Sequence, residues 1–317
     1  VSVVMMTRNH QNYIRQAVES VINQEVNFPI EILIGEDFST DNTRQECEKL
    51  QLEYPHLIRL IVATENVGIT PNFLRLVSRA RGKYIALLEG DDYWIHPQKL
   101  SLQVELMETH PEYSWCGGKT INRTFPCILK EYYTFEETLE RYIIHTSTVL
   151  FKHNVLNVYP NFPNIVGWIS FVYIYLSQYG NCGFLNEELS FYRKHTGGLY
   201  TGKNAIEHML LSHLFTDVSR DYLNNDRKYL HHLLKRELWI CSMETEIKIE
   251  TYGMKVWFDN IQILYLEFPR LIKIIPLEFI AFSIKIFAQP LIFLYFYSRR
   301  KLALRSRLVS LVNYFKV

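Results

Sequence analysis

The chain has 317 residues, a formal net charge of +1 and 48% apolar residues. That is enough for one large domain or two smaller ones, and the balanced charge excludes a nucleic-acid binder that works by overall basicity. The five cysteines, Cys47, Cys116, Cys127, Cys182 and Cys241, form no CxxC pair and no metal-ligand spacing. An odd, scattered set suggests reduced thiols and a cytosolic face.

The first segment, VSVVMM (1–6), reads as a buried parallel strand. The chain opens inside it, so a few upstream residues are expected, and no signal peptide is visible. After TRNHQN, Ile14, Val18, Val21 and Ile22 recur at helical spacing. IEILIGED (30–37) is a second strand, and STDNT (39–43) opens a charged helix to about Tyr54. LIRLIVA (57–63) is a third strand. Thr70-Pro71 then caps a helix running to about Ala80, with proline at its first position. KYIALL (83–88) is a fourth strand, and an amphipathic helix follows from Pro97 to about Thr109. Alternating strands and helices predict an α/β open sheet with right-handed crossovers. Further on, HTSTVLF (145–151) reads as a strand, GWISFVYIYLSQYG (167–180) as a helix, and CGFLNEELSFYRKH (182–195) as strand-like. From about 204 the chain becomes helical, without repeats or low-complexity tracts.

In open α/β sheets, ligands sit at the carboxyl ends of the strands. Polar residues collect there: Thr7, Arg8 and Asn9 after the first strand, Glu36 and Asp37 after the second, Asn66 and Gly68 after the third. The fourth strand ends in Glu89, Asp91 and Asp92, three acids within four residues. Carboxylates so close repel one another and are costly to bury unpaired. They suit a hard divalent cation, Mg²⁺ or Mn²⁺, whose shell is completed by water and a substrate diphosphate.

These segments resemble the inverting family 2 glycosyltransferases of the GT-A fold, of the type that builds bacterial surface polysaccharides. The matching stretches are VSVVMMTRNHQNYIRQAVESVINQ, ILIGEDFSTDNT, NVGITPNF, ARGKYIALLEGDDYW, HTSTVLF and NEELSFYRKHTGG, in family order over roughly residues 1–200. The resemblance implies a Rossmann-like mixed open sheet flanked by helices. Residues 1–115 form its nucleotide-sugar half, 116–203 its acceptor half, and 204–317 a C-terminal helical extension. By resemblance, Thr7 and Asn9 line the nucleotide pocket, and Asp37, with Glu36 beside it, faces base and ribose. Asp91 and Asp92 look like the DxD-type motif, with Asp91 toward the ribose and Asp92 on the metal. Glu89 takes the motif's earlier acidic place. His195 is similar to the family's late histidine near metal and diphosphate; the bland alternative is a structural histidine. Arg193 pairs either with phosphate or with a neighbouring acid.

The implied reaction transfers a sugar from a nucleoside-diphosphate donor, UDP by family frequency, to an acceptor hydroxyl. A divalent metal steadies the leaving diphosphate and a general base takes the acceptor's proton. Relatives often carry Gly-Asp-Trp at the base position, whereas this chain reads Val166-Gly167-Trp168, with no Asp or Glu between Glu140 and Glu187. Three readings stand open: His145 as substitute base, a base from elsewhere such as Glu187 or Glu188, or a pseudotransferase that binds donor without turnover. Among rivals, a nucleotidyltransferase wants a Gly-rich loop near the N-terminus, and TRNHQNY has no glycine. A dinucleotide oxidoreductase wants GxGxxG after the first strand, and a glycosidase wants two acids flanking a cleft.

From Leu271 onward, Lys273, Lys285, Arg299, Arg300, Lys301, Arg305, Arg307 and Lys316 face one acid, Glu278. The apolar run 271–297 approaches the length of a span, about 20 residues, but its charges and Pro276 and Pro290 interrupt it. The expectation is helices lying in or re-entering the inner leaflet, with the basic cluster on anionic headgroups and a lipid-linked or glycan acceptor. A packed helical subdomain or a contact between copies of the chain is the alternative.

Overall fold

The computed structural model describes residues 1–122, 130–140, 143–156, 162 and 168–198, with single positions 219, 222, 223, 229, 232, 233 and 236. The chain divides into two compact units, 1–202 and 203–317, and the architecture below is that of the first. Gly167 and the segment 271–317 lie outside the described residues. Among the described residues, no helix is long and apolar enough to cross a membrane.

The elements follow in chain order: β1 (Ser2–Thr7), α1 (Ile14–Ile22), β2 (Glu31–Glu36), α2 (Thr43–Glu53), β3 (Ile58–Val62), α3 (Ile69–Val77), β4 (Tyr84–Glu89), β5 (Tyr93–Trp94), α4 (Lys99–Thr109), β6 (Tyr113–Ile121), β7 (Tyr132–Tyr133), α5 (Phe135–Glu140), β8 (Leu150–Lys152), α6 (Ile169–Ser177) and β9 (Asn181–Phe191). One mixed sheet runs β3-β2-β1-β4-β8-β6-β9-β5, with β7 also on β9. Its first four strands are parallel. The other half is antiparallel except for β6 beside β9. The central strands β1 and β4 read as unbroken apolar runs because both of their faces are covered. In α1, the buried residues Ile14, Ala17, Val18 and Val21 make one stripe against that sheet.

Two local expectations are corrected. HTSTVLF is not a strand throughout: Thr146–Thr148 form a 3-10 turn, and the strand begins at Leu150. The hydroxyl of Thr148 donates back to the carbonyl of His145 at 2.9 Å, and such local bonds compete with strand pairing. The helix expected to open at Thr70-Pro71 begins at Ile69, after Gly68 at the N-cap. Gly68 takes φ 87°, which glycine adopts without strain. Pro71 falls in the first turn, where a missing N–H is tolerated. The short pieces β5, β7 and α5 carry too few residues to show a period.

Lys99 is fully buried. Its ammonium lies over the Trp94 ring, 4.1 Å from the centroid, and donates to Gln103. Trp94 Nε1 donates to the Ser147 carbonyl and Gln103 Nε2 to that of Thr148, each at 2.7 Å. Helix α4 thus fixes the turn before β8. Burial pushes the Lys99 amine down to about 7. In the unfolded chain it keeps its proton to about pH 10.4. Between these values the unfolded state holds more protons, so stability rises with pH through that window. Urea denaturation of wild type and Lys99→Met at pH 7 and pH 9 reads this. Wild type should gain about 2 kcal/mol on the variant over that interval.

Candidate active site

The site lies at the carboxyl ends of β1, β2 and β4. Register places Thr7 beside Glu36, and Met6 beside Glu89. Backbone bonds continue past the strands: Asp37 N–H to Thr7 O at 3.0 Å, and Gly90 N–H to Met6 O at 2.9 Å. The loops are knitted by side chains. Asn9, with φ 57°, accepts from the Thr40 N–H at 2.8 Å, and its own N–H donates to Ser39 Oγ at 3.0 Å. Asp37 accepts from the Val67 and Gly68 N–H groups, at 2.8 and 3.0 Å, and so holds the entry to α3. Asn66 Oδ1 takes the Gly68 N–H as well, at 3.2 Å. Glu36 is fully buried; Oε1 accepts from Ser39 N–H at 2.6 Å, and Oε2 meets no hydrogen-bond partner among the described residues.

The acids at the end of β4 are sorted into different surroundings. Asp91 Oδ2 lies 3.0 Å from His195 Nε2 and 3.6 Å from His10 Nε2. Asp92 is buried; Oδ1 accepts from the Arg193 N–H at 2.9 Å, and Oδ2 lies 3.7 Å from His145 Nδ1. Glu89 is partly buried at the strand end. Burial disfavours charge on Asp91, but the His195 bond and nearby His10 outweigh it and hold the carboxyl below its usual range. Burial, reinforced by Asp91 and Glu89, pushes the Asp92 carboxyl well above it. Burial also lowers His10, against the pull of Asp91, which favours the neutral imidazole.

Strand β9 brings the far residues in. Its antiparallel pairing with β5 sets Tyr93 opposite Phe191, so the chain beyond β9 runs back along Asp92 and Asp91. Arg193 Nε donates to the Asp91 carbonyl and Nη2 to Gln16 Oε1, each at 2.7 Å. Its guanidinium lies between the rings of Tyr13 and Tyr93, at 4.6 and 5.2 Å. The charged end of Arg193 thus grips backbone and Gln16, and its own N–H serves the carboxylate. His145 is buried against Tyr192, with Nδ1 2.7 Å from Ser147 Oγ. Glu187 and Glu188 are exposed on β9.

Sequence reading missed His10, Tyr13, Gln16 and Tyr93. His10, Asp91 and His195 can each offer a ligand atom within 4.8 Å of the others. Neutral imidazole and carboxylate donors suit a divalent transition-metal cation, so the residues fit a metal.

Gly90 is the crossing point. A Cβ there would stand 2.6 Å from Thr7 Oγ1, 2.8 Å from Thr7 Cβ and 3.0 Å from His10 Nδ1. Gly90→Ala should cost about 1–3 kcal/mol, as overpacking does. Urea denaturation checks it, and an unchanged midpoint would mean that this crossing has slack.

Residues 2–155 match the family model described as Glycosyl transferase family 2. The chain is 30% identical over 208 residues to the putative teichuronic acid biosynthesis glycosyltransferase TuaG of Bacillus subtilis, covering 61% of this chain and 78% of TuaG. It spans only 60% of the length of uncharacterized mycobacterial relatives that it matches at 32% identity. The solved structure of S. aureus TarS 1–349 in complex with UDP-GlcNAc aligns with a TM-score of 0.58 at 17% identity, covering 82% of this chain and 80% of that one. The mannosyltransferase PcManGT from Pyrobaculum calidifontis, in complex with GDP-Man and Mn²⁺, aligns at 0.56 and 14% identity, covering 92% and 86%. At such identities the likeness is one of fold.

Proposed function

The chain belongs to glycosyl transferase family 2, and from that premise we propose that it moves a sugar from a nucleoside diphosphate to a hydroxyl of a glycan or lipid-linked acceptor. UDP is the expected carrier. The observation that carries the reading is Asp91, set at the carboxyl rim of the sheet with His195 at 3.0 Å. Support also comes from TarS, solved with UDP-GlcNAc, and PcManGT, solved with GDP-Man and Mn²⁺. TuaG, named for teichuronic acid, suggests a surface polysaccharide.

Thr7, Asn9, Glu36, Asp37, Asn66 and Gly68 shape the nucleoside end of the site. Asp91 and His195 hold the divalent cation. Resemblance gives Asp92 that part, but its carboxylate turns to the Arg193 N–H and toward His145, which favours a supporting role behind Asp91. The cation, when bound, offsets the charge of the leaving diphosphate. In the transfer, the acceptor oxygen bonds to the anomeric carbon as the bond from that carbon to the phosphate oxygen breaks. The electron pair leaves with the diphosphate and the acceptor's proton passes to a base, with inversion at the carbon. His145, whose Nδ1 is bonded to Ser147 Oγ, stands as one candidate base, and an acid such as Glu187 or Glu188 as the other. The basic, aromatic stretch 271–317 supports an acceptor presented at the cytoplasmic face of a membrane.

Calorimetric titration of UDP, GDP and their sugar conjugates, with and without Mn²⁺, tests the reading. One nucleotide should bind in a metal-dependent way, and Asp91→Asn should weaken it at least about tenfold, the low end for a buried charged contact. No binding by the folded wild type, or equal binding by Asp91→Asn, would contradict it. The selected donor then enters a turnover assay, where binding without transfer would identify a pseudotransferase.

A further inference from the structure

The two imidazoles at Asp91 come from opposite ends of the catalytic unit. His195 follows the last strand and occupies the place of the family's late histidine. His10 sits in the first loop, among residues that resemblance gives to the nucleotide.

We propose that His10 is a third protein ligand of the divalent cation. His10 Nε2, Asp91 Oδ2 and His195 Nε2 then form a three-point face that prefers Mn²⁺ to Mg²⁺. The inference rests on the donor-site reading above and adds a ligand and a selectivity to it.

Four observations carry it. First, both Nε2 atoms face the same carboxylate oxygen, at 3.0 and 3.6 Å. The longer separation exceeds a hydrogen bond, so His10 is aimed at Asp91 without being bonded to it. Second, His10 Nδ1 lies 3.2 Å from Thr7 Oγ1. A ligating imidazole commonly gives its other N–H to an oxygen; with Thr7 Oγ1 accepting from Nδ1, the outer nitrogen is left for the metal. Third, the backbone around His10 is tied down. Its N–H donates to Thr43 Oγ1 at 2.7 Å, and its carbonyl accepts from Tyr13 and Ile14, both at 2.9 Å, at the head of α1. Rigid support of this kind is what a preorganised ligand needs. Fourth, Gly90, between Glu89 and Asp91, presents no side chain to Thr7 and His10 and so admits the ring.

Selectivity follows from the donors. Mg²⁺ favours oxygen ligands and keeps its waters, whereas imidazole suits the later divalent ions. Two imidazoles in three protein ligands therefore bias the site away from Mg²⁺ and toward a transition-metal ion such as Mn²⁺. Positions of the ion not taken by the protein would be left to diphosphate oxygens and water. The first loop also becomes part of the metal site, so nucleotide and metal are sensed by the same few residues.

The test uses the full chain. Pulsed EPR on the wild-type Mn²⁺ complex, with and without UDP, counts directly bound imidazole nitrogens; two are expected. Titrations of Mn²⁺ and of Mg²⁺ on wild type, His10→Ala and Asp91→Asn follow, with thermal melts to confirm folding. His10→Ala should lose about tenfold or more in Mn²⁺ affinity and less in Mg²⁺ affinity, so that the preference collapses. A single coupled nitrogen, or unchanged Mn²⁺ preference in folded His10→Ala while Asp91→Asn loses the ion, would overturn the role of His10 and leave the donor site standing. If wild type binds no Mn²⁺ in either condition, the metal reading itself falls.

Discussion

Three carboxylates in four residues at the end of β4 are the constraint around which this catalytic unit is arranged. Left alike, they would repel one another in a partly buried rim. The fold makes them unlike. Asp91 is given imidazoles and held in its charged form, while Asp92 is withdrawn behind it. Separating neighbouring acids by environment keeps Asp91 ionised at the rim while Asp92 accepts the Arg193 N–H behind it.

The means of separation is the return of β9. Its pairing with β5 delivers the Arg193 N–H to Asp92 and His195 to Asp91. The arginine side chain locks this return between two tyrosine rings and onto the Asp91 carbonyl. Behind it, hydroxyls of Ser147, Ser190 and Thr120 form a buried chain from His145 to β6. Lys99, Trp94 and Gln103 hold the same turn from the α4 side. The acid cluster is thus supported from four elements, none adjacent to it in sequence beyond β5.

The parallel half was legible because its signals are local. Each apolar run ends in polar residues, α1 shows an apolar stripe, and the later helices are announced by N-cap residues or proline, so β1 to β4 and α1 to α4 could be read one by one. Thr7, Glu36, Asp37 and Glu89 were found the same way, as residues at strand ends. The antiparallel half was harder, since β6 and β9 owe their pairing to partners far along the chain. HTSTVLF misled because the Thr148 hydroxyl and the Ser147 N–H bond back to His145 and close a turn. His10 escaped notice because a lone histidine in a polar loop has no spacing to give it away. Its neighbours Asp91 and His195 are brought to it only by the folded sheet.

A crystal of the chain soaked with UDP and Mn²⁺, measured at the manganese absorption edge, tests the central claim most directly. The account predicts one anomalous peak touching Asp91 and His195, with the diphosphate beside it and the nucleoside over the ends of β1 and β2. A peak held by Asp92 with Asp91 free, or nucleotide bound away from this rim, would contradict it.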